Sequence, residues 1–176
     1  LVITLSVGCA GQETAGSAAT SASNDQPTPR ATPTRSSHDV NDGAAIEQEY
    51  KDAVSELKEQ YPLPQGRSYP SASMLTWDPV VHVGTGFGES AANFFWRCAW
   101  SDQYFTASTS GDAKARNAAL DELEKWPSTP FFLAHVQDNE PGWQKAVIDP
   151  ARAGDDSVLR AMSGSDCTFY YDVTAP

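Results

Sequence analysis

The stretch best suited to hold an anion is Gly84-Thr-Gly-Phe-Gly-Glu-Ser90, because closely spaced glycines let backbone N–H groups converge on a phosphate. It lacks the Lys-Ser/Thr of a phosphate-binding loop, and its G-x-G-x-G spacing misses the dinucleotide fingerprint by one residue. Glu89 would also repel an anion there. These glycines read instead as a tight turn into a buried helix. His82 and His135 sit in apolar runs, as structural residues do, and no ligand spacing joins them into a metal site. Glu89 and Asp102 are the carboxylates to consider as an acid–base pair, whose signature is a spatial separation that the sequence leaves open. Ser90 has no accompanying base, and no Gly-x-Ser-x-Gly elbow is present. No cofactor motif or metal set emerges, so no reaction is assigned from these residues.

Aromatic side chains offer a second kind of chemistry. Trp77, Phe87, Trp96, Trp100, Trp126 and Trp143 are available to line a groove, although a small domain needs most of its aromatics for its core. Trp77, Phe87 and Trp143 are the candidates for an exposed binding patch.

Composition divides the chain. All eighteen aromatics lie after position 45, whereas residues 10–45 hold mainly Ala, Ser, Thr, Gly, Pro, Gln and Asp. That stretch has too little apolar surface to offset the entropy of ordering it, and reads as a disordered linker. Residues 1–45 hold four acids and two arginines, a charge of −2, so −9 of the total of −11 falls on residues 46–176. An acidic domain lacks the basic footprint that nucleic acid demands, so no nucleic-acid partner is expected. It is also a poor candidate for adsorption to anionic lipid.

Leu1-Val-Ile-Thr-Leu-Ser-Val-Gly8 is apolar and runs directly into Cys9-Ala-Gly-Gln. Eight residues are too few to span a bilayer, which needs about twenty. The segment looks like the C-terminal part of a bacterial lipoprotein signal peptide, with Ser6 where leucine is usual and no basic segment before it. That resemblance makes Cys9 the lipidated residue and Ala10–Ala45 a tether, of roughly 30–36 Å root-mean-square span. Cys9, the linker and the acidic domain together resemble exported lipoproteins of high-GC Gram-positive bacteria. Phe95-Trp-Arg-Cys-Ala-Trp100 and Glu124-Lys-Trp-Pro127 add to the likeness. The resemblance implies a place, lipid-anchored on the outer face of the cytoplasmic membrane, and brings no activity or site residues with it.

With Cys9 given to lipid, Cys98 and Cys167 remain as an even pair in an oxidising compartment. A bridge between them closes a loop of about 70 residues, worth about 4 kcal/mol on the chain-entropy model. It would pin the C-terminal segment onto the helix that carries Cys98.

The elements follow from periodicity. Residues 45–61 place Ile46, Tyr50, Val54 (or Ala53), Leu57 and Tyr61 on one helical face, ended by Pro62 and Pro64. Residues 89–105 are apolar on nearly every side, the mark of a buried central helix. A third helix spans 112–126, with Asp112–Arg116 and Asp121–Lys125 pairs on its outside. Thr129-Pro130 starts a short helix, and turns follow at 141–148 and 156–162, with Asp155-Asp156 as a helix start and Gly164 just past the end. Met74–Trp77, Pro79–Val83 and Cys167–Val173 are β-prone, and the last two are able to pair. The expectation is a mainly α domain over residues 46–176, with a buried aromatic-rich central helix and at most a small two-stranded sheet. Function is expected to be that of an envelope binding module for a protein or cell-wall polymer. The alternatives are an envelope hydrolase with a carboxylate cleft and a structural envelope protein without a ligand.

Overall fold

The computed structural model describes residues 43–75, 84–136 and 142–175. Cys9, the linker, Trp77, His82 and the β-prone run at 79–83 lie outside the described residues. Among those described every regular element is helical.

Helix α1 (Gly43–Gln60) buries the expected stripe of Ile46, Tyr50, Ala53, Val54 and Leu57. Tyr61 follows it into the core, its N–H donating to the Leu57 carbonyl. Helix α2 (Phe87–Ser110) is the axis of the domain. Ala92, Phe95, Trp96, Cys98, Ala99, Tyr104 and Ala107 are buried around its circumference, as an all-round apolar pattern requires. Gly111, at a φ of +75°, closes it with a left-handed cap. The chain leaving α1 is bound to α2 by two indoles, since Trp96 and Trp100 both donate to the Pro62 carbonyl, at 3.1 and 2.9 Å.

Helix α3 (Ala113–Leu123) starts on Asp112, whose carboxylate accepts from the Ala115 N–H. It is shorter than the expected 112–126, and Trp126 falls in a 3-10 turn, Trp126–Ser128, that places its indole in the core. The expected Asp121–Lys125 pair does not form. Asp121 and Glu124 both accept from Arg152, while Lys125 turns to Glu122. Helix α4 (Pro130–His135) begins as expected, the fully buried Thr129 hydroxyl accepting from the Phe132 N–H and donating to the Trp126 carbonyl. A π-helical turn, Gln144–Ile148, then leads into α5 (Asp149–Arg152).

Three local expectations need correction. Met74 belongs to a 3-10 turn, Ala72–Met74, and not to a strand. Helix α6 (Ser157–Asp166) runs through Gly164 and does not stop before it, because Gly164 lies in open space and the helix must deliver Cys167 to α2. The β-prone C-terminus is helix α7 (Thr168–Thr174). Its threonine, tyrosines and valine favour strands locally, but Cys167 and Tyr170 must both face α2. A three-residue spacing puts them on one side only in a helix; a strand would turn Tyr170 outward.

Cys98 and Cys167 are bridged, with Cα atoms 5.6 Å apart and both residues buried. Tyr170 packs on Phe95 at 5.1 Å, and its hydroxyl donates to Asp102, which also accepts from Arg67 at 2.7 Å. Burial and then Asp102 push the Tyr170 hydroxyl above its ordinary value, so it stays a donor. Helix α7 is thus fixed by one covalent bond and one ring in the core. Reduction of the bridge is expected to lower the melting temperature, by the loss of about 4 kcal/mol of loop-closure entropy. Thermal melts with and without reductant check this, and unchanged midpoints alongside two newly titratable thiols would mean that the bridge adds no stability.

Candidate functional site

The glycine segment serves α2, and its N–H groups are taken up by a side chain of the domain itself. Gly86, at a φ of +94°, turns the chain into the helix. A carboxylate from α1 occupies the position that a phosphate would take: Glu49 accepts from the Gly86 N–H at 3.0 and 3.1 Å and from the Gly88 N–H at 3.2 Å. It satisfies the unpaired donors and the positive end of the helix dipole together. Gly88 permits the crossing itself. A Cβ there would run into the Ile46 carbonyl oxygen and come within 2.7 Å of the Tyr50 nitrogen.

Glu89 and Asp102 do not form an acid–base pair. Thirteen residues apart on one helix that rises about 1.5 Å per residue, they are separated by about 20 Å along its axis, beyond the reach of any glycosidase geometry. Asp102 is engaged by Arg67 and Tyr170, and Glu89 lies 3.5 Å from the His135 ring nitrogen. His135 also packs against Phe131 at 5.0 Å. Glu49, Asp52, Glu56 and Glu89 line a hollow of about 270 Å³, a concentration of acids that the sequence did not reveal. No three His, Cys, Asp or Glu groups among the described residues are arranged to hold a metal ion.

A different region has the character of a binding site. A groove of about 380 Å³ opens between α4, the π-helical turn and α6, with α2 beneath it. Phe94, Trp126, Phe132 and Trp143 form its aromatic floor, and Val136, Val158 and Met162 its rim. Trp126 is the hub of this floor: it stacks on Trp96 at 6.4 Å and meets Phe94, Phe132 and Trp143 at 5.6, 5.9 and 6.4 Å. Of the sequence candidates, Trp143 is buried, its indole N–H donating to the Leu123 carbonyl at 2.8 Å while its ring lines the groove. Phe87 is half-buried against the core, away from the groove.

Two charged groups share the groove. Arg97 donates to Asp166 at 2.7 Å, and its guanidinium lies over the rings of Phe94, at 4.5 Å, and Trp126, at 5.3 Å. The arginine side chain is only 5% exposed, the aspartate 31%. Burial pushes the guanidinium below its ordinary value, against the opposing pull of Asp166. At Asp166, burial pushes the carboxyl up, but the Ser165 hydroxyl and Arg97 outweigh it, and the net position lies below the usual carboxylate range. The sequence did contain a signal for this pair. An arginine inside the all-round apolar Phe95-Trp-Arg-Cys run must be buried, and a buried charge needs a partner. Asp166, 69 residues on, became its partner through the adjoining Cys98–Cys167 bridge.

No helix among the described residues is long and apolar enough to cross a membrane. No protein-family model matches the chain, nor does any curated protein or solved structure.

Proposed function

We propose that the protein is an exported, lipid-anchored binding module of the cell envelope, and that the groove over Trp126 is its binding face. The observation that carries this reading is an aromatic-floored groove left open beside the Arg97–Asp166 ion pair, whose arginine is buried and whose aspartate reaches the surface. Sites for ligands and partners are typically concave and mostly apolar, with a few placed polar groups. The floor here is held by the core, so the site is formed before anything binds, which reduces the entropy cost of association. The adjoining π-helical turn fits the same reading, since such turns occur frequently at functional sites.

Export is supported by the apolar run into Cys9 and by the Cys98–Cys167 bridge, which suits an oxidising compartment. Two or three acyl chains on Cys9 would anchor the chain stably. The linker then holds the domain off the membrane, toward envelope proteins or wall polymer. The test is in-cell photo-crosslinking from a reactive residue placed at Val158 on the rim. A discrete adduct in the membrane fraction is expected from the parent protein. It should be lost when Ala146→Trp fills the groove and released to the medium with Cys9→Ala. An adduct that survives Ala146→Trp would sink the groove as the binding face.

A further inference from the structure

Resting on the groove as the binding face, the charge arrangement inside it narrows the class of partner. Among the described lining residues, Arg97 and Asp166 are the two that carry charge. Arg97 is turned inward, stacked on Phe94 and Trp126, and almost wholly covered, whereas the carboxylate of Asp166 reaches the surface. The groove therefore shows an incoming group a carboxylate and not a guanidinium. Among the described residues each oxygen of that carboxylate has one partner: Oδ1 accepts from the Ser165 hydroxyl and Oδ2 from Arg97. An ionised carboxylate has about four lone-pair positions, so acceptor capacity remains on its outer side. The net charge of −9 over residues 46–176 adds a long-range attraction for cations.

The apolar part of the site sets the size of what enters. About 380 Å³ is near the lower end for ligand sites, enough for one or two large side chains. The rim itself is apolar and exposed, with Val136 at 40% and Val158 at 41%. An exposed apolar rim around a small socket suits a ligand that continues beyond the socket, as a protein surface does.

We propose that the groove docks a segment of another envelope protein that presents an apolar side chain flanked by a lysine or arginine. The apolar group seats on Trp126 and Phe132, and the cation binds the outer side of Asp166.

The test uses fluorescein-labelled helical peptides with leucine along one face and lysine, glutamine or glutamate on the other. Each is titrated by anisotropy against the full chain at physiological salt. The lysine peptide is expected to bind about tenfold more tightly than the glutamine peptide, the worth of one charge-assisted pair, and the glutamate peptide least. Ala146→Trp should abolish all binding. Val158→Lys, at an exposed position on the rim and with folding checked by its thermal melt, should weaken the lysine peptide about tenfold and strengthen the glutamate peptide. Equal affinity for lysine and glutamine peptides, lost in Ala146→Trp, would overturn the basic partner while leaving the groove as the binding face. Capture of decanoate in place of the peptides, also lost in Ala146→Trp, would overturn it in favour of an acyl chain. Absence of all binding, or binding indifferent to Ala146→Trp, would overturn both readings.

Discussion

Gly88→Ala is expected to cost about 3 kcal/mol, although alanine is the better helix former. Intrinsic propensity alone favours the substitution by about 1 kcal/mol. Against that stands steric exclusion: the new methyl would collide with the Ile46 carbonyl oxygen and the Tyr50 nitrogen of α1. Both are backbone atoms in a neighbouring helix, and neither can rotate away. Relief requires α1 to move off α2, which would also draw Glu49 from the Gly86 and Gly88 N–H groups that it caps. Gly164→Ala provides the opposite case. Gly164 is exposed within α6, with nothing near its missing Cβ, so the same change should stabilise by about 0.5–1 kcal/mol. Denaturant unfolding of the two variants measures both signs. A Gly88→Ala protein as stable as the parent would show that α1 and α2 do not cross at this glycine.

How much of this was legible beforehand can be judged from the elements themselves. The stripe of α1 and the all-round apolar face of α2 are local patterns of 3.6-residue period, and a single chain displays them in full. The Thr129 cap is equally local. The fold of the C-terminus was not, because the β-prone residues of α7 are overruled by a disulfide and by a tyrosine seat on a helix far away in sequence. The cysteine arithmetic pointed to the bridge; what it did to the backbone conformation depended on where α2 ran. The groove was least visible. Trp143 was singled out for its type, but Arg97, Trp126 and Asp166 come together only through tertiary contacts. The acid count showed net charge but not that Glu49, Asp52, Glu56 and Glu89 share a hollow.

Asp166→Asn is expected to destabilise the domain by about 3 kcal/mol at neutral pH, because it leaves a buried arginine without a counter-charge. The figure is taken at the lower end of the range since Asp166 itself is partly exposed. Adding Arg97→Met should recover most of the loss: the methionine keeps an apolar contact with Phe94 and Trp126 and removes the stranded charge. The sign of the pH effect follows from the carboxyl, which is held below its usual range in the folded protein. Its contribution is therefore present above the unfolded value of about 4 and is lost as the pH falls through the folded value. The gap between parent and Asp166→Asn should close on acidification through that window. Urea midpoints across the acid range measure it, and a gap that stays constant would assign the loss to packing and not to charge.

The groove over Trp126 is the central claim, and photo-crosslinking inside the envelope tests it most directly. The reactive residue is placed at Val158 on the groove rim or at Lys58, exposed on α1 and outside the groove. A discrete adduct from position 158, absent from position 58 and lost on Ala146→Trp, is the predicted result. Adducts from position 58 alone, or equally from both positions in the presence of Ala146→Trp, would contradict it and place the binding face elsewhere on the domain.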